Sequence, residues 1–92
     1  MTPLVVSEIA ARLASLPGWE VESGELIRTF ECSDFRSALA FVNRVGILAE
    51  AAEHHPDIDI RYNRVRFVLV THSAGGLTAK DFELAAEIDN VA

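Results

Sequence analysis

The sequence predicts an α+β domain of two layers. A four-stranded antiparallel sheet carries helices on one face, in the order α-β-β-α-β-β-α. Three observations lead there. Residues 19–31 and 57–72 alternate apolar and polar side chains around central turn residues. Segments before, between and after them repeat apolar residues at helical spacing. The 92 residues suffice for one modest core, hence one domain spanning 1–92.

Ser7 can cap a short helix from about Glu8 to Leu16, with Ile9, Leu13 and Leu16 on one face. Pro17-Gly18 ends it. Trp19 to Glu22 reads as a strand, Ser23-Gly24 as a turn, and Glu25 to Glu31 as the hairpin partner. Ser33 is placed to cap the longest helix, Asp34 to His54, whose Phe35, Ala38, Leu39, Val42, Val45, Ala49 and Ala52 should face the core. Gly46 inside it suggests a close neighbour. Pro56 stops this helix, leaving His54 in its last turn and His55 extended.

The next stretch pairs around Asn63-Arg64. Residues 62 and 65, 60 and 67, and 58 and 69 should lie opposite, with Ile58, Ile60, Tyr62, Val65, Phe67 and Leu69 on the buried side. Ser73 to Gly76 is a loop. Thr78 with Asp81 resembles a capping box, opening a helix from about Ala79 to Val91.

Composition narrows the function classes. The net charge is −6, which repels phosphate backbones and argues against nucleic-acid binding. The single Cys32 cannot form an internal disulfide or a multi-cysteine zinc site. The start of the chain shows no signal-peptide pattern, and no apolar run approaches the ~18 residues of a membrane span. The expectation is a soluble cytoplasmic protein.

All three histidines fall in one patterned stretch: Glu50, His54-His55-Pro56, Tyr62, His72 and Asp81. Imidazole exchanges protons near neutral pH, so this clustering points to acid–base work. Glu50 and His54 are neighbours on a helix surface, so the carboxylate could orient the ring. The expected hairpin register carries His55 across from His72. Backbone N–H groups of the Ser73–Gly76 loop would lie beside them. Each residue also has a plain reading: a solvated Glu50–His54 pair, a helix-terminating His55-Pro56, an exposed His72, a capping Asp81, and Tyr62 and Trp19 in the core. The plain readings weaken only where the three rings meet. A three-histidine zinc site is a poorer fit, because adjacent helical and extended histidines point apart.

The run Glu50-x3-His54-His55-Pro56-x5-Tyr62-x9-His72-x8-Asp81 resembles the signature of the pterin-4a-carbinolamine dehydratases. Gly18-Trp19 and Thr71-His72-x3-Gly76-Leu77-Thr78 extend the resemblance. It implies loss of water from a 4a-hydroxytetrahydropterin, without metal or other cofactor, in tetrahydropterin recycling. By resemblance, His54 and His72 are the acid–base pair, His55 holds the 4a-hydroxyl, Glu50 orients His54, and Asp81 supports the His72 loop. Pro56, Thr71, Ser73 and Ala74 would contact the pterin, and Trp19 would be a wall. The resemblance also implies a homodimer or homotetramer. Many similar proteins have an aromatic residue shortly after His-His-Pro, where this chain has Asp57-Ile58-Asp59-Ile60; substrate fit should differ, not reaction type. The rival from another class is a non-catalytic assembly or binding module on the same fold.

Overall fold

The computed structural model describes residues 2–92; Met1, the first residue of the expected domain, lies outside them. The elements are α1 (Val6–Leu13), β1 (Glu20–Glu22), β2 (Glu25–Glu31), α2 (Phe35–Ala52), β3 (Asp57–Arg61), β4 (Arg64–Leu69) and α3 (Ala79–Val91), with a 3-10 turn over His72–Ala74. The strands form one antiparallel sheet in the order β1-β2-β4-β3. This is the expected α+β architecture.

One sheet face makes the core. Leu26 and Phe30 of β2, with Val65, Phe67 and Leu69 of β4, are buried against Ala38, Phe41 and Val45 of α2 and Leu84, Ala85 and Ile88 of α3. Phe30 is the hub, meeting Trp19, Phe41 and Phe67 edge to face at centroid distances of 6.3, 4.9 and 5.8 Å. The opposite face carries Thr29, Glu31, Asp57, Asp59, Arg61, Arg64 and Arg66, as period-two alternation requires.

Several local expectations are corrected. In α1 the N-cap is Val5, not Ser7; Glu8 Oε1 accepts from the Val5 N–H (3.0 Å), and the helix ends at Leu13, short of Leu16. Asp34 caps α2, accepting from the Ser37 N–H at 2.8 Å, while the Ser33 hydroxyl turns to that of Ser37. Phe41 takes the core position, and Phe35, Leu39 and Ala52 are exposed. Ala38, Val45 and Ala49 are buried as expected, Phe41 joins them, and Val42 is half-buried. A Cβ at Gly46 would meet nothing within 4 Å, so no close neighbour accounts for that glycine.

The β3–β4 register also differs. Ile60 pairs with Val65 and Ile58 with Phe67, so the turn is Tyr62-Asn63. Asn63 explains the choice: its Nδ2 donates to the Cys32 carbonyl (2.8 Å), and its own carbonyl accepts from the Cys32 N–H (2.7 Å). Tyr62 sits at φ 52° in that turn, two-thirds exposed, instead of in the core. The register moved by one residue on each strand, so the paired side chains kept their faces, although Ile58 is exposed; carried outward, it sets His55 opposite Val70 and not His72 as expected.

Candidate active site

The site begins where α2 ends. Glu53 adopts φ 50°, ψ 42°, a left-handed conformation usually left to glycine or asparagine. The next N–H, that of His54, returns to the Ala49 carbonyl at 3.1 Å, closing a Schellman-type cap. The helix therefore ends at Ala52, two residues before the end at His54 that Pro56 alone predicts. His54 is beyond the helix, turned inward and buried, while His55 stays exposed.

The reversal swaps the expected partners. Glu50 pairs with His55 Nε2, not with His54. His54 Nε2 instead lies 2.5 Å from Asp81 Oδ1, on α3. Asp81 is fully buried. Its Oδ2 accepts from the Thr71 hydroxyl (2.8 Å) and the Thr78 N–H (2.9 Å). Asp81 Oδ2 already accepts two hydrogen bonds, and a carboxylate acts as an acceptor, so His54 donates through Nε2–H.

The rest of the network is consistent with that assignment. The Thr71 hydroxyl spends its proton on Asp81, so the Thr78 hydroxyl donates to Thr71 Oγ1 (2.8 Å) and accepts from the Lys80 N–H (3.3 Å). Among the described residues, no buried side-chain nitrogen or oxygen lacks a partner. The Thr78–Asp81 capping box therefore exists as expected and also anchors the ring of His54. Asp81 reaches the His72 segment as well, through Thr71, the residue just before it.

His72 opens the 3-10 turn that follows Thr71. Thr71 pairs with Gly76 across this loop, and Gly75 turns left-handed at φ 75°. The N–H groups of Ala74, Gly75 and Gly76 all bond to the Thr71 or His72 carbonyl. They are consumed within the loop, contrary to the expectation that they would face a ligand.

The three histidines line one cleft of about 300 Å³, together with Glu53, Val70, Thr71, Ser73 and Lys80. Of the expected contacts, Thr71 and Ser73 line it, and Pro56 and Ala74 do not. Trp19 is not a wall of this cleft: it is buried in the core, and its Nε1–H donates to Asp89 Oδ1 at 2.9 Å. Lys80 escaped the sequence reading, although it is the only lysine in the chain and precedes Asp81. Glu53 escaped because its left-handed geometry has no local sequence signal. Among the described residues, no group of three His, Cys, Asp or Glu is arranged to hold a metal ion, and no helix is long and apolar enough to cross a membrane.

Two rings tethered from behind by carboxylates, beside a third in the same cleft, define a site equipped for proton transfer on an α+β domain. The family model for pterin 4 alpha carbinolamine dehydratase matches residues 2–91, and the chain belongs to that family. A protein of Chloroflexus aurantiacus named as a candidate pterin-4-alpha-carbinolamine dehydratase is 59% identical over 91 residues, covering 99% of this chain and 98% of its own. One of the same name from Acidobacterium capsulatum is 58% identical over 89 residues, covering 97% of each. A crystal structure described as a transcriptional coactivator/pterin dehydratase from Brucella melitensis superposes with a TM-score of 0.95 at 33% identity, covering 99% of both chains. A pterin dehydratase-like protein described as a RuBisCO assembly factor in the alpha-carboxysome shares the fold, with a TM-score of 0.66 at 21% identity over 80% of this chain and 86% of its own.

Proposed function

We propose that the protein removes water from a 4a-hydroxytetrahydropterin, giving the quinonoid dihydropterin by histidine acid–base catalysis. The C4a–O bond breaks and the oxygen takes a proton to leave as water. N5 releases its proton, and the electron pair of that bond forms the N5=C4a double bond. A group that gives a proton and one that takes a proton are both needed, at opposite sides of C4a–N5.

His54 and His72 are assigned to that pair, with His55 holding the 4a-hydroxyl. The supporting observation is the shared cleft, with His54 held in one tautomer by Asp81 and His55 held by Glu50. Glu50 and Asp81 act as positioning residues. Thr71 and Ser73 contact the pterin, and the exposed His72 completes the site from the loop side. No cofactor enters the reaction. The product re-enters the tetrahydropterin pool used by aromatic amino-acid hydroxylases, in the cytoplasm, and the working form is a homodimer or homotetramer.

The test is turnover of a freshly generated 4a-hydroxytetrahydropterin by the wild type, His54→Ala and His72→Ala. The wild type should outpace both variants by about a hundredfold or more in kcat. Equal rates in the three samples would reject catalysis and leave a non-catalytic module.

A further inference from the structure

A cavity of about 390 Å³ lies on the open face of the sheet and shares no residue with the histidine cleft. Thr29, Asp59, Arg61, Arg64 and Arg66 line it. The strand register builds it. Arg66 of β4 stands between Thr29 of β2 and Asp59 of β3, and on the next rung Arg64 stands between Glu31 and Arg61. Alternate residues of a strand share a face, so the three arginines stand together on the side away from the helices. Val70, which borders the histidine cleft, is four residues further along the chain from Arg66, a separation of about 14 Å in an extended strand.

The charge here runs against that of the chain. Three of the eight cationic residues fall between positions 61 and 66, in a protein of net charge −6. Arg61 and Arg64 are direct cross-strand neighbours, and facing like charges destabilise a strand pair. Carboxylates offset this only in part. Asp59 is directly opposite Arg66, yet its Oδ2 turns along its own strand to Arg61 Nε at 3.4 Å. Arg64 Nη1 donates to Glu31 Oε2 at 3.1 Å. Among the described residues, Arg66 has no carboxylate partner. A free guanidinium is thus left at the cavity, with the Thr29 hydroxyl on one flank and two further guanidiniums close by.

We propose that this cavity is a second ligand site, which binds the phosphate of a small phosphomonoester through Arg66, Thr29 and the neighbouring Arg61 and Arg64. It stands independently of the dehydration reading. Guanidinium presents a planar fork of donors that fits phosphate oxygens in pairs. A carboxylate has two oxygens and fills one fork. A phosphoryl group has three terminal oxygens, enough for Arg66, Thr29 and a second arginine at once. Three guanidiniums against the carboxylates of Asp59 and Glu31 leave a local positive charge, which holds a dianion more firmly than a monoanion. The cavity is at the small end of the range for small-molecule sites, roughly 300–1,000 Å³. The negative charge of the rest of the chain opposes a polyanion such as nucleic acid.

The experiment titrates glycerol 3-phosphate, succinate and a phosphoserine peptide into wild type, Arg66→Gln, Asp59→Asn and Arg36→Gln, followed by amide resonances. At about pH 7 a phosphomonoester carries roughly −1.5 to −2 charge, and about 0.15 M salt screens diffuse attraction. Glycerol 3-phosphate should saturably shift the amides of Thr29, Asp59 and Arg66 and leave those of His54, His55 and His72 in place. Arg66→Gln should weaken it about tenfold or more, the scale of a hydrogen bond to a charged group. Arg36→Gln removes the same charge from an exposed position on α2 and should stay within about twofold. Asp59→Asn should tighten binding, because it frees Arg61 and removes a competing acceptor. Urea midpoints of Arg66→Gln and Asp59→Asn should match the wild type, since exposed charges contribute little to the fold. No saturable shift at Thr29 and Arg66, or equal weakening by Arg36→Gln and Arg66→Gln, would overturn the site. Succinate binding as tightly as glycerol 3-phosphate would overturn the phosphate, and a peptide binding far more tightly would overturn the small-molecule occupant. Binding in the expected pattern by a protein that does not dehydrate a pterin would support this site and reject the catalytic reading alone.

Discussion

His54 and Asp81 are 27 residues apart in sequence and 2.5 Å apart in space, the one at the exit of α2 and the other in the first turn of α3. The same carboxylate takes the Thr71 hydroxyl and the Thr78 N–H. Replacing it should act on fold and function separately. Asp81→Ala strands three buried donors and should cost about 3 kcal/mol or more, read by urea denaturation. Asp81→Asn preserves the volume but offers His54 an amide in place of an acceptor-only group. Its kcat should fall about a hundredfold or more, with a much smaller stability loss. Full activity in a folded Asp81→Asn protein would show that the tether is irrelevant to the reaction.

The Glu50–His55 pair lies on the surface, its side chains 79% and 63% exposed. Exposed ion pairs contribute about 0–1 kcal/mol. His55→Ala and Glu50→Gln should therefore unfold at nearly the wild-type urea midpoint. Both should nevertheless lose dehydration rate, His55→Ala more than Glu50→Gln, because one removes a ligand-facing group and the other only its support. Large destabilisation by either change would contradict the exposed geometry.

Glu53 bears a side chain at a left-handed position. That conformation costs an L-residue roughly 1–2 kcal/mol, which glycine avoids at a smaller entropic cost. Glu53→Gly should raise stability by about 0.5–1 kcal/mol in chemical denaturation. The same change removes a negative charge from the mouth of the histidine cleft, so KM is the kinetic quantity to watch.

Asp34 links stability to pH. The Ser37 backbone N–H, and secondly the Ser37 side chain, hold its carboxyl below its ordinary 3.8. A lowered folded-state value means the contribution is complete above that ordinary value and is lost as pH falls through the lowered one. Asp34→Asn keeps a capping oxygen but does not titrate. The Tm advantage of wild type over this variant should shrink between about pH 5 and about pH 2, and a constant difference would sever the link.

If one imidazole must be protonated and another free, kcat/KM for dehydration is bell-shaped, with both limbs between about pH 5 and 9. A flat profile over that window would count against a histidine pair.

The strands and α3 were legible because their signals are strong and local. Glu25–Glu31 alternates between two turns, and Thr78 with Asp81 marks the start of α3 unmistakably. The faces of β3 and β4 were legible even where the pairing was not, since a shift of one residue on each strand leaves parity unchanged. The turn itself depends on Asn63 bonding to Cys32, a contact 31 residues away along the chain. The meeting of three imidazoles was readable from their spacing and the family resemblance. Their carboxylate partners were not, because one left-handed residue, Glu53, decides which way His54 turns. Trp19 likewise gives no local hint that its indole is held by Asp89, 70 residues on.

Because one carboxylate both starts α3 and aligns His54, the opening turn of that helix is a mechanical latch for the whole centre. Fraying there would loosen the ring before the aromatic core around Phe30 gives way. On gentle warming the molecule should go silent while still compact, and the amide of Thr78 should trade its hydrogen for deuterium in step with that silence.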